Sequence, residues 1–175
     1  MNSSSSNTLF SESQYFRQVW IWILLIGLNG LVIYGFVSQV LFGYNFGDNP
    51  MSNLALLITA IIMLLFTLLF WIIRLDTEIK SDGIYYRLYP FQLSYKQILW
   101  HRLKKKFVRQ YSPLTEFGGW GFRIGLFGSG QAFNVSGNQG LQLVFDNDMN
   151  FLIGTQKPEE IEKVLKQIEQ LKKDT

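Results

Sequence analysis

Hydrophobic positions fall into three regimes along this chain. Val19–Phe42 and Leu54–Ile73 are long apolar runs without a charged residue. A helix needs roughly 20 predominantly apolar residues to cross a bilayer, so each run predicts a membrane-spanning helix. From Arg74 onward the apolar runs shorten and alternate with polar positions, the period of strands. Pieces around Thr77–Lys80, Ile84–Tyr89, Gln92–Leu99, Lys105–Tyr111, Trp120–Leu126, Gln131–Val135, Leu141–Phe145 and Phe151–Gly154 are separated by turn residues. Ser81-Asp82-Gly83 is a hairpin signal. The last segment changes period again. Ile161, Val164, Leu165, Ile168 and Leu171 lie at helical spacing on one face, behind Pro158, Glu159 and Glu160 at the helix start. The expected architecture is a two-helix transmembrane hairpin followed by about seven antiparallel strands in a partly open barrel, capped by a C-terminal amphipathic helix.

Charge gives the hairpin a direction. Arg17 precedes the first run, Arg74 and Lys80 follow the second, and the loop 43–53 carries only Asp48. The positive-inside bias therefore predicts a multi-pass protein of the cell inner (plasma) membrane, with both termini cytoplasmic. A cleaved signal peptide fits poorly, because the first run is too long and no small-x-small site follows it promptly. Trp20, Trp22 and Trp71 fall at one predicted interface. Asn29 is expected to hydrogen-bond the neighbouring helix, and Gly27, Gly30 and Gly35 allow close helix packing. The Ser-rich start is low in complexity, so residues 1–16 are expected to be a disordered tail, 17–74 the hairpin and 75–175 a cytoplasmic domain.

Composition narrows the chemistry. The chain has 175 residues, no cysteine and one histidine, His101. Disulfides, thiolate metal sites and a Cys nucleophile are excluded, and a multi-histidine metal site cannot be built. From Arg74 to the end there are 15 Lys+Arg against 11 Asp+Glu, a net of +4. That excess suits a surface near anionic lipid and is too weak for nucleic acid. No cofactor or metal is implied, and no residue pattern assembles an enzyme.

Three features invite a functional reading. Gly118, Gly119, Gly121, Gly125, Gly128 and Gly130 form a glycine-rich tract, but no Gly-Lys-Ser/Thr follows and no helix opens behind it. Tight turns and bulges in a curved sheet are the better account. Glu116 and Arg123 flank the Gly118-Gly119-Trp120 turn and are expected to pair, with Trp120 packing beneath them. Asn134 is expected to hold a turn by bonding backbone. The third feature is the run Trp100, Arg102, Lys104, Lys105, Lys106 and Arg109. Each Lys or Arg close to an anionic leaflet contributes about 1 kcal/mol, so this run is the candidate contact for anionic phospholipid headgroups.

The segments 116–123, 132–143 and 153–160 resemble an uncharacterised family of small bacterial membrane proteins with a bacterial PH-like domain. The element order, strands and then one amphipathic helix, agrees with a PH-like fold. The resemblance implies a fold and a membrane context and carries no activity. The function expected is therefore a non-catalytic, membrane-anchored interaction or scaffold module with a protein partner. An anionic-lipid-contacting module and a small accessory subunit of a larger membrane complex are the alternatives.

Overall fold

The computed structural model describes residues 7–125 and 130–173. The chain divides into two compact units, one formed by Arg17–Ile72 and the other by the segments before and after it.

The helical unit follows from its apolar runs. α1 (Val19–Phe36) continues through a wider helical turn at Val37–Leu41, and α2 spans Asn53–Ile72. Both helices are long and apolar enough to cross a membrane. Asn29 donates to Thr67 Oγ1 at 2.7 Å, so the expected interhelical bond is present. Trp22 and Trp71 meet edge to face with ring centres 6.4 Å apart. Gly35 lies under the Phe46 ring of the connecting loop, whereas Gly27 and Gly30 face open space.

The other unit contains two sheets. The first has the order β1-β2-β3-β4, from Thr8–Tyr15, Arg74–Lys80, Gly83–Tyr89 and Lys96–Leu99. The second has the order β5-β8-β9-β7-β6, from Leu103–Gln110, Gln139–Phe145, Asn150–Gly154, Gln131–Asn134 and Gly121–Ile124. A short helix, α3 (Pro113–Phe117), joins β5 to β6, and α4 (Pro158–Lys173) ends the described chain. The sheets do not close into a barrel. The antiparallel expectation also needs one correction, because β7 and β9 run parallel.

The larger correction lies at the N-terminal side. Residues 8–15, expected to be disordered, form β1 and pair antiparallel with β2 from Thr8↔Lys80 to Tyr15↔Arg74. Every second side chain, Phe10, Glu12 and Gln14, is buried. The alternation is real, but two of its three inward residues are polar, so it sends no apolar signal. Glu12 accepts from Thr155 Oγ1 at 2.7 Å and from the Gln156 amide at 2.9 Å. Gln14 donates to the Gly154 carbonyl at 2.6 Å. These bonds offset the desolvation that would otherwise oppose burial. The helical hairpin is thus an insertion, in sequence, between two paired strands.

Leu75, Ile79, Ile84, Leu141, Leu143, Leu152 and Ile153 are almost wholly buried. Leu152 and Ile153 are neighbours on β9 and point to opposite faces, Leu152 packing with Tyr111, Phe117 and Ala132. α4 buries Ile161, Val164, Leu165 and Ile168 against β1, β5 and β8, while Leu171 stays more than half exposed. Lys106 reaches Glu169 at 3.0 Å and ties α4 to β5.

Candidate functional site: a groove between two strand edges

β4 and β6 are outer strands of different sheets, so each has one side without a strand partner among the described residues. Between the ends of these strands and the β8–β9 turn opens a groove of about 930 Å³. Its floor is apolar. Tyr86, Ile98 and Phe151 are buried there, and Tyr86 packs on both Phe133 and Phe151 with ring centres 5.1 Å apart. Phe122 extends this aromatic row, with its ring 4.8 Å from that of Phe133. At the rim, Ile124 and Met149 are 71% and 59% exposed.

Two local devices shape the groove. Gly130 has φ +82°, and a Cβ there would collide with the backbone of Asn150, so β7 can start this close to β9 only with glycine. The β8–β9 turn is pinned by Phe145 N to Met149 O at 3.0 Å and Asp148 N to Phe145 O at 2.9 Å. Asp148 then meets Lys104 at 2.7 Å, which lowers its carboxyl pKa. Lys96 and Arg102, also on the rim, are exposed and have no anionic partner among the described residues. An aromatic floor, a mixed polar rim and two open strand edges can hold an extended segment by main-chain bonds and alternate side-chain pockets. Among the described residues no group of three or more His, Asp or Glu is placed to hold a metal ion.

The basic run is dispersed rather than presented as one patch. Trp100 is buried and donates to the Lys80 carbonyl at 3.0 Å. Lys104 and Lys106 are taken by Asp148 and Glu169. Arg109 forms a two-pronged pair with Glu116 at 2.7 and 3.2 Å and also donates to Gln142 at 2.9 Å. Arg102 and Lys105 remain exposed.

The expected Glu116–Arg123 pair is replaced by the Arg109–Glu116 pair, which holds the Glu116 carboxyl below its ordinary value. Arg123 instead donates to the Trp120 carbonyl at 2.9 Å. The physical reason is α3. It turns Glu116 back toward β5 before the glycines begin, with Gly118 as its left-handed cap at φ +68°. Trp120 donates to the Gly137 carbonyl at 3.2 Å.

Asn134 also departs from expectation. It is fully buried in β7 and donates to the Tyr111 hydroxyl at 2.9 Å, not to a turn. Burial pushes the Tyr111 hydroxyl up to about 12, against the opposing pull of Asn134 and Arg109. Gly128 of the glycine-rich tract, Leu126 and the serines at positions 3–6 lie outside the described residues. The groove itself was missed from sequence. Its lining is scattered between residues 86 and 151, so no local pattern in the sequence marks it.

A family model described as a family of unknown function (DUF6141) matches residues 1–165. No curated protein and no solved structure matches the chain.

Proposed function

This chain belongs to the DUF6141 family, and from that premise we propose a non-catalytic, membrane-anchored module whose PH-like domain captures an extended segment of a protein partner. The groove carries the proposal: its apolar floor lies beside two strands, β4 and β6, that are outermost in their sheets among the described residues. A partner strand would pair with such an edge and bury Ile124 and Met149. Two sheets with an amphipathic helix packed on one side support the PH-like reading. The β1–β2 ladder supports the topology. The pairing of Tyr15 with Arg74 agrees with a hairpin whose two ends lie on one side of a membrane, and the positive-inside bias favours the inner side. The proposed site is therefore the inner face of the plasma membrane.

Contact with anionic lipid through residues 100–109 has less support. Lys104, Lys106 and Arg109 already have acidic partners, which leaves little net charge there for a headgroup.

The test is site-specific photocrosslinking of the full chain in its native host. A benzoylphenylalanine at position 124 or 149 is expected to give one adduct of defined mass. The same probe at Leu114, exposed but outside the groove, is expected to give none. The adduct should disappear with Ile98→Asp. Equal adducts at all three positions, or none at 124 and 149, defeat the proposal.

A further inference from the structure

The loop between β3 and β4 presents two large apolar side chains outward, Phe91 at 65% and Leu93 at 74% exposure. Single exposed apolar residues are ordinary on a protein surface. This pair differs because the loop is fastened in a shape that keeps them out. The Gln92 amide donates to the Leu88 carbonyl at 2.8 Å, and the Gln92 side chain accepts from the Leu88 amide at 3.2 Å. Arg87 holds the Leu93 carbonyl at 3.3 Å and lies 4.5 Å over the Tyr95 ring. Gln92 and the Leu93 carbonyl thus tie the loop back to β3 while Phe91 and Leu93 stay exposed.

Strand register says which end of the sheet this loop occupies. Tyr15 pairs with Arg74, and Arg74 pairs with Tyr89. The end of β1, the start of β2 and the end of β3 are therefore neighbours, each strand about 4.8 Å from the next. β1 continues through residues 16–18 into the first apolar helix, and β2 begins within two residues of the end of the second. Even fully extended, the first connection reaches at most about 14 Å. Short connections therefore tether this end of the sheet, rather than the opposite one, to the ends of the two apolar helices.

We infer that the β3–β4 loop is a membrane-surface contact, with Phe91 and Leu93 inserted at the headgroup–acyl boundary of the bilayer that the hairpin spans. The inference rests on the membrane reading of the two helices. Its chemistry agrees with the surroundings. Tyr89 and Tyr95 are of the type that settles at membrane interfaces. Arg74 and Arg87 share the single carboxylate of Asp76, at 3.1 and 2.7 Å, so this end keeps a net positive charge toward anionic headgroups. The insertion orients the domain and leaves the groove to a protein partner.

The absence of cysteine makes the test direct. Phe91→Cys, Leu93→Cys, Ser81→Cys and Leu64→Cys variants of the full chain are labelled with an environment-sensitive fluorophore. They are reconstituted in vesicles of phosphatidylcholine and phosphatidylglycerol. Ser81 marks the opposite end of the sheet, and Leu64 reports on the hairpin. The inference predicts that labels at 91 and 93 are quenched by lipid-borne nitroxide and are several-fold less sensitive to aqueous iodide than the label at 81. Position 64 should then be lipid-quenched as well. If 64 is lipid-quenched while 91 and 93 respond to iodide as 81 does, the loop contact is wrong and the hairpin reading survives. If 64 itself responds to iodide, both fail.

Discussion

Glu12 and Asp76 are buried carboxylates on neighbouring strands, and their surroundings drive them in opposite directions. Burial is the largest influence on both and favours the neutral acid. At Asp76 it is outweighed by the Ser13 hydroxyl at 2.6 Å together with Arg87 and Arg74, and the pKa falls below its ordinary 3.8. At Glu12 burial prevails over Thr155, the Gln156 amide and Lys157, and the pKa rises above 4.5. The signs of linkage differ accordingly. Asp76 contributes stability above its unfolded value and loses it as pH falls through the depressed folded value. Glu12 favours the fold most when protonated, and that contribution declines as pH rises through 4.5 to its raised folded value. Thr155→Val removes the hydroxyl donor and leaves the carboxylate short of a partner. It is expected to destabilise the protein by about 1–3 kcal/mol. The loss should be greater at alkaline than at mildly acidic pH, measured by thermal unfolding in detergent micelles. An equal loss at both would mean that Glu12 is not the group responding.

β1 is the element whose role is least visible from its own residues. Its inward set is Phe10, Glu12 and Gln14, so neither composition nor periodicity of apolar residues marks it as core. Only pairing with β2 and the bonds to residues 154–156 make it a strand. Phe10→Ala should cost about 3–5 kcal/mol of unfolding free energy if β1 is integral. In a loose tail the same change would stay within about 0.5 kcal/mol. Denaturant titration of the full chain in micelles separates these outcomes. α4 is the opposite case. Its apolar spacing alone identifies the face that packs, and Ile161, Val164, Leu165 and Ile168 are buried as that spacing implies. The eight expected strand segments also correspond to β2–β9, with shifted ends. The Gln92–Leu99 segment is halved, because its first half is the pinned loop and only Lys96–Leu99 forms β4.

For the chain as assembled, the insertion of the hairpin between β1 and β2 ties topology to folding. β1 can complete the first sheet only if it stays with β2, on whichever side of a membrane the two ends of the hairpin lie. The proposed arrangement places loop 43–53 and the β-sheet unit on opposite sides of the membrane. Asp48→Cys and Lys163→Cys variants test this with a membrane-impermeant maleimide on intact cells. Labelling is expected at 48 alone, with 163 becoming reactive after the membrane is opened. Labelling of 163 in intact cells would reverse the topology.

The boundary between what local pattern carries and what contact decides is physical. Helical and strand periods, a long uncharged run and a Ser-Asp-Gly turn act over a few residues, so the two apolar helices, most strands and α4 could be read directly. Partner choice acts over distance. Glu116 takes Arg109 across β5 rather than Arg123 across the glycines, Asn134 takes Tyr111 rather than a turn, and β7 finds β9 in parallel. The basic run looked like one surface because its members are adjacent in sequence. On a strand, adjacent residues point to opposite faces, and acids from the β8–β9 turn, α3 and α4 reach them separately. The sheet division, the groove and the incorporation of β1 exist only once residues far apart in sequence have paired.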